Sequence, residues 1–237
     1  MASPENTDTL ILCGGKGTRL RAAVPDRPKA LAEVSGKPFL DILLAELQEK
    51  GLRRFVLCTG FGAEQIIARY ERRMDAAAFV FSVEARPLGT AGALALALPL
   101  VRSDPVVVAN GDSFCSVDIR ELLRAHCDRR AALTMAVVPA EGRSDVGTVR
   151  VDASNRIVAF SEKSGVTCQG ENYVNAGVYV MSISVLRGIP SGVPCSLEMD
   201  VFPGLATTHP CFVFPVEGPL VDIGTPERLQ GASRLLR

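Results

Sequence analysis

The chain has 237 residues, 47% of them apolar, which is enough to bury a large core and too apolar for a disordered segment. Lysine plus arginine and aspartate plus glutamate stand at 26 each, so the basic surplus of a general nucleic-acid binder is absent. The longest apolar stretch, residues 91–101, is too short to span a bilayer, and the N-terminal MASPENTDTL has acidic residues where a secretory signal needs basic ones. Seven cysteines without a CxxC pair fit a reducing compartment, so a cytoplasmic protein with no membrane insertion is expected.

In chain order, the continuous apolar run at 9–13 predicts a strand and the amphipathic run at 38–51 a helix, with Pro38 near its start and Gly51 past its end. Strands at 55–60 and 79–83 flank a helix at 63–73, and a helix at 90–98 leads to a strand at 105–110. A helix at 118–129 and a strand at 133–138 follow. The rhythm then changes to a hairpin over 146–160, turning at 152–155, and to strands at 172–182 and 211–218. A last helix starts at Pro226. The arginine pairs at 53–54, 72–73 and 129–130 read as solvated helix ends.

Apolar strands interleaved with helices predict an α/β fold around a mostly parallel sheet buried on both faces. With no linker or repeat, 1–237 reads as a single domain. Ligands of such sheets bind beyond the carboxyl ends of the strands, which is where Gly14, Gly15, Glu84, Gly89, Gly111 and Asp112 fall.

The run GGKGTRL at 14–20 fits neither common phosphate-loop template. The dinucleotide fingerprint would need a third glycine at Leu20, and the P-loop needs its lysine after the last glycine, whereas Lys16 precedes Gly17 and Thr18. Gly14, Gly15 and Gly17 nevertheless let backbone N–H groups approach phosphate oxygens, and Arg19 and Lys29 add full positive charges. Asp112 reads as a turn former or a metal ligand, and Glu84 as a surface residue or a base reader.

GGKGTRL, then Pro28-Lys29, NGD at 110–112, EK at 162–163, NAG at 175–177 and DIGTP at 222–226 together resemble the sugar-1-phosphate nucleotidyltransferases. Within that family, residues 26–44 are most similar to the D-glycero-D-manno-heptose 1-phosphate guanylyltransferases, close kin of the mannose-1-phosphate guanylyltransferases. Ala30 stands where a second proline is frequent, and Leu220-Val221 where an aromatic is, without loss of a charged residue. The resemblance implies a Rossmann-like mixed, mostly parallel sheet flanked by helices, with a nucleotide-binding part at about 8–130 and a sugar-phosphate part at about 131–225. It implies attack of a sugar 1-phosphate oxygen on the α-phosphorus of a nucleoside triphosphate, releasing pyrophosphate, with Mg²⁺ as cofactor. The product would be a GDP-sugar for capsule or lipopolysaccharide biosynthesis.

By the same resemblance, Arg19 holds the β- and γ-phosphates, Lys29 the α-phosphate, and Asp112 and Asp222 the metal. Leu12, Gly14, Gly15, Gly17, Thr18, Glu84, Gly89, Thr90 and Gly111 complete the nucleotide site. Gly147, Glu162, Lys163 and Asn175 take the sugar phosphate, while Glu198 and Asp200 order the sugar pocket or cap a short helix. Relatives that use thymidine or uridine triphosphate commonly carry glutamine at the Glu84 position. A carboxylate only accepts hydrogen bonds and guanine offers two adjacent donors, so Glu84 argues for GTP. Mannose 1-phosphate as acceptor, another nucleotide, and a non-catalytic regulatory subunit are the alternatives. The last of these would be expected to lose the cations and carboxylates retained here. Homo-oligomerisation stays open, and with the sequence ending soon after Pro226 the extra C-terminal domain of longer relatives is not expected.

Overall fold

The computed structural model describes residues 2–15, 17, 19–20, 24–73, 77–140, 148–161 and 172–236. Strand β1 (Asp8–Leu12) is followed by a small hairpin, β2 (Glu33–Val34) and β3 (Lys37–Pro38), and then by helix α1 (Phe39–Glu49). The chain continues through β4 (Arg54–Thr59), α2 (Ala63–Tyr70), β5 (Ala78–Val83), α3 (Gly89–Ala97), β6 (Val106–Asn110), β7 (Ser113–Phe114) and α4 (Ile119–Asp128). Its second half comprises β8 (Leu133–Pro139), β9 (Thr148–Val151), β10 (Ile157–Ser161), β11 (Asn172–Met181), α5 (Ile183–Arg187), α6 (Phe202–Thr208), β12 (Cys211–Pro215), β13 (Val221–Asp222) and α7 (Pro226–Leu235).

Strands β5, β4, β1 and β6 pair in that order, all parallel. Antiparallel β11 extends this core, pairing Val178–Met181 with β6 and its N-terminal residues with β9, while its register with β8 shifts between Asn175 and Tyr179. Strand β8 runs antiparallel along the other edge of β11, and β12 lies parallel to β8. The β9–β10 hairpin curls round to meet β12 through a bridge between Arg156 and Phe212. The result is the mixed, mostly parallel α/β architecture expected, with helices on both faces.

Alternation along the strands builds two cores. Ile11, Leu57, Val107 and Ala109 face α1 and α4, burying Leu40, Leu43, Leu44, Leu122 and Leu123. Leu10, Val56, Val106 and Val108 face the other way, against Ala91 and Leu94 of α3, Leu186 and Phe202. Each fully buried aliphatic side chain contributes about 1.5–3 kcal/mol of transfer free energy. A third cluster of Leu20, Val34, Phe39, Val221, Ile223 and Ala232 clamps β13 and α7 over the loop that follows β1. That cluster brings the C-terminal segment to the site.

The solvated-end reading of the arginine pairs holds for exposed Arg72, Arg129 and Arg130 and is corrected for 53–54. Arg54 opens β4 and donates to buried Asp8 Oδ1 at 2.7 Å, and Arg53 Nη1 caps the carbonyls of Gln48 and Leu52. Arg73 pairs with Asp41, and Arg129 stacks over the Phe212 ring at 4.7 Å. The β2–β3 hairpin and β13 escape a periodicity search because two-residue strands carry no period. Among the described residues no helix is long and apolar enough to cross a membrane.

Candidate active site

Beyond the carboxyl ends of β1, β4, β5 and β6 lie Gly14, Gly60, Glu84 and the Gly111-Asp112 pair. A cavity of about 240 Å³ opens there. Leu12, Gly14, Gly15, Gly17, Arg19, Lys29, Gly111 and Asp112, all nominated from the sequence, line it, together with Cys13, Ala30 and Gly224, which were not. Burial, then the nearby Cys58 and Asp112, pushes the Cys13 thiol well above its ordinary pKa, so this wall presents a neutral thiol and no thiolate. The close approach of β6 to β1 requires Gly111, because a Cβ there would lie 2.8 Å from the Leu12 carbonyl oxygen.

Two carboxylates and one ammonium meet at the mouth. The pairing of β13 with β7 sets Asp222 opposite Ser113, and the Ile223 N–H donates to the Asp112 carbonyl at 3.1 Å. A one-turn helix at Lys29–Leu31 follows Pro28 and aims Lys29 between the acids. Its Nζ donates to Asp112 Oδ2 at 2.7 Å and lies 4.0 Å from Asp222 Oδ1. Asp222 is held from behind by Arg228, whose Nη1 donates to Oδ2 at 2.9 Å, and by the Gly224 N–H on Oδ1. Ser113 Oγ lies 3.3 Å from Asp112 Oδ1.

Among the described residues no three His, Cys, Asp or Glu side chains are grouped to hold a metal. The Asp112–Asp222 pair instead fits an ion that takes one or two carboxylates and completes its shell with phosphate and water, as Mg²⁺ does. The placement of Asp222 depends on Gly224, where a Cβ would sit 2.7 Å from Asp222 Oδ1.

Glu84 folds back over Gly60 and Gly14. Its Oε2 accepts from the Leu88 N–H at 3.0 Å, and its Oε1 is 3.1 Å from the position of a Cβ on Gly14. Burial, then the Glu84 charge, raises the Cys58 pKa to about 12. Gly89, with φ +71, starts α3 against the Cys195 carbonyl, which accepts from the Ala91 and Gly92 N–H groups at 3.0 and 3.2 Å. The Thr90 hydroxyl accepts from the Leu197 N–H at 2.7 Å and donates to Glu198 Oε2 at 3.1 Å. Segment 195–200 thus docks on the N-terminus of α3, a contact without a local sequence signal. Asp200 caps the turn that follows, accepting from the Ser196 N–H at 2.7 Å.

Asn175 points inward, donating to the buried Tyr179 hydroxyl at 2.6 Å and accepting from the Gly177 N–H at 2.8 Å. Asn110, on the same side, keeps a buried Oδ1 with no hydrogen-bond partner among the described residues. Thr18, Gly147, Glu162 and Lys163 lie outside the described residues.

Residues 8–234 match the nucleotidyl transferase family. The chain belongs to this family. Among its members, the D-glycero-alpha-D-manno-heptose 1-phosphate guanylyltransferase of Aneurinibacillus thermoaerophilus is 30% identical over 97% of this chain and 98% of its own length. The mannose-1-phosphate guanylyltransferase catalytic subunit beta of Drosophila melanogaster is 36% identical over 93% of this chain, which spans only 60% of that protein. Among solved structures, HddC from Yersinia pseudotuberculosis complexed with GMP-PN superposes with a TM-score of 0.84 at 29% identity, covering 98% of this chain and all of that one. As a nucleotidyltransferase, the chain places Arg19, Lys29 and Asp112 on the cavity beyond the parallel strands, with Asp222 4.0 Å from the Lys29 ammonium.

Proposed function

We propose that this nucleotidyltransferase moves GMP from GTP to a sugar 1-phosphate, releasing pyrophosphate, and that the acceptor is D-glycero-α-D-manno-heptose 1-phosphate. One observation carries the reading: Lys29 and Asp112 line the glycine-rich cavity at the ends of the parallel strands, and Asp222 stands 4.0 Å from the Lys29 ammonium. The similarity to the guanylyltransferases and to the GMP-PN complex supports guanine as the base, as does an acceptor-only carboxylate at Glu84.

The reaction joins two anions, so the protein's task is alignment and neutralisation of charge. Backbone N–H groups of the loop and the Arg19 guanidinium hold the β- and γ-phosphates as the leaving group. Lys29 meets the α-phosphate, where charge grows as the sugar phosphate oxygen attacks. A phosphate monoester nucleophile is already ionised and needs no general base, in keeping with a cavity lined by no histidine. Asp112 and Asp222 would hold Mg²⁺, which when bound neutralises phosphate charge and fixes the geometry of the triphosphate. Lys163 and Glu162 would bind the phosphate and hydroxyls of the sugar, with Gly147 and Asn175 bordering it.

Pyrophosphate release from a panel of GTP, dTTP, UTP and CTP against heptose, mannose and glucose 1-phosphates tests the proposal. GTP with heptose 1-phosphate should give the highest kcat/KM. The Drosophila relative makes mannose 1-phosphate the second reading, and a clear preference for it would replace heptose. Turnover with dTTP but not GTP would overturn the role of Glu84, and wild-type turnover by Lys29→Ala would overturn the mechanism.

A further inference from the structure

We propose that Lys29 is a built-in occupant of the divalent-cation site. Without nucleotide its ammonium holds Asp112 and Asp222, and a divalent ion gains both carboxylates only once a triphosphate has drawn Lys29 away. The proposal rests on the metal-site reading above and adds an order to it: the ion arrives with the nucleotide and not before.

The Lys29 ammonium is 2.7 Å from Asp112 Oδ2 and 4.0 Å from Asp222 Oδ1, with its side chain only 15% exposed. Mg²⁺ needs carboxylate oxygens at about 2.0–2.1 Å, so an ion bound to the same oxygens would press against this ammonium. Among the described residues, the two carboxylates and the Lys29 and Arg228 cations that pair with them sum to no net charge, so a bare divalent ion gains no surplus of negative charge from this cluster.

Each acid has an anchor besides Lys29, Asp222 in Arg228 and the Gly224 N–H, Asp112 in the Ser113 hydroxyl. Each acid thus keeps an anchor when Lys29 leaves, and Lys29 is the movable member, a point charge on a flexible four-carbon stem. That stem passes the phosphate loop, since a Cβ on Gly17 would stand 3.2 Å from Lys29 Cβ. Rotation about the outer bonds of the side chain would carry the ammonium from the carboxylates to a phosphate seated on the loop.

Mn²⁺ binding, followed by its paramagnetic resonance signal, tests this without turnover. For the free protein, Lys29→Met should bind Mn²⁺ at least about tenfold tighter than wild type, the repulsion expected between a divalent ion and an ammonium a few ångström apart even at bulk-water screening. For the Mn²⁺·GTP complex the sign should reverse, because the variant has lost a phosphate contact. Lys29→Gln, which keeps a polar tip, should follow the same crossover. If both variants bind free Mn²⁺ no tighter than wild type, the exchange is overturned. Asp112→Asn and Asp222→Asn separate the two levels. If they leave Mn²⁺·GTP affinity unchanged, the metal-site reading itself fails. If they weaken it while the lysine variants show no crossover, only the exchange fails.

Discussion

Replacing Gly60 by alanine would put a methyl group 2.5 Å from Glu84 Oε1 and 2.9 Å from its Cγ, without another heavy atom as close. Gly60 has no positive φ, so the backbone accepts alanine and the collision falls on one flexible side chain. Ordinary carbon contacts need about 3.5–4.0 Å, so the carboxylate must retreat by roughly 1 Å, further than a hydrogen bond survives. If Glu84 reads guanine through the N1–H and N2–H₂ donors, the variant loses bonds to a charged acceptor worth about 1.5–3 kcal/mol each. We expect kcat/KM for GTP to fall by about 10–100-fold. Inosine triphosphate lacks the exocyclic amine, so the wild-type preference for GTP over it should shrink in the variant. Loss of the Leu88 N–H bond costs about 1 kcal/mol and lowers Tm by only about 2–4 °C in a chain of this size. Pyrophosphate release with both nucleotides, beside a melting curve, makes the measurement. A folded Gly60→Ala enzyme with the wild-type ratio of GTP to inosine triphosphate would refute the assignment of Glu84.

Arg228→Ala removes the group that holds Asp222 Oδ2 and should raise the Mg²⁺ concentration for half-maximal turnover by about 10–100-fold, the usual cost of losing a partner behind a metal ligand; a Mg²⁺ titration of initial rates checks it. Gly111→Ala drives a Cβ to 2.8 Å from the Leu12 carbonyl oxygen and 3.1 Å from Cys13 Sγ. Forcing β6 from β1 in this way should cost about 1–3 kcal/mol in urea unfolding and depress turnover as well. His126 is buried on α4 with Nδ1 3.0 Å from Thr134 Oγ1, and burial lowers its pKa to about 4 against the opposing charge of Asp104. The unfolded chain protonates this ring near pH 6.5, so it binds more protons than the folded one and stability falls as pH drops from about 6.5 towards 4. Between pH 7 and pH 5 the wild type should lose on the order of 2 kcal/mol more than His126→Asn, as read from urea titrations at the two pH values.

The parallel core was legible because its signals are local. Strands β1, β4 and β6 are short apolar runs closed by glycine or asparagine, and α4 falls within the helix expected at 118–129, where the structure adds that the Asp118 side chain accepts from the Glu121 N–H at 3.1 Å. Most of the residues nominated for the nucleotide fall on one cavity for the same reason, since parallel strands deliver their carboxyl ends to one edge. Thr90 and Asn175 were nominated by resemblance alone, and the structure adds what resemblance could not: both side chains also brace the protein, Thr90 on Glu198 and Asn175 on Tyr179.

By itself the amino-acid order determined the sequence of strands and helices, the glycine turn after β1, and which charged side chains would stand beside that turn. These depend on periodicity, turn chemistry and neighbours a few residues away, all of which are written along the chain. Only the tertiary structure decided that Asp222 would face Asp112, that Lys29 would lie between them, and that segment 195–200 would seat on the start of α3. These contacts join residues far apart in the chain, and β13 and β7 are only two residues long. Their pairing is held by the apolar cluster of Leu20, Phe39, Val221 and Ile223, which forms only when the whole sheet has brought its members together.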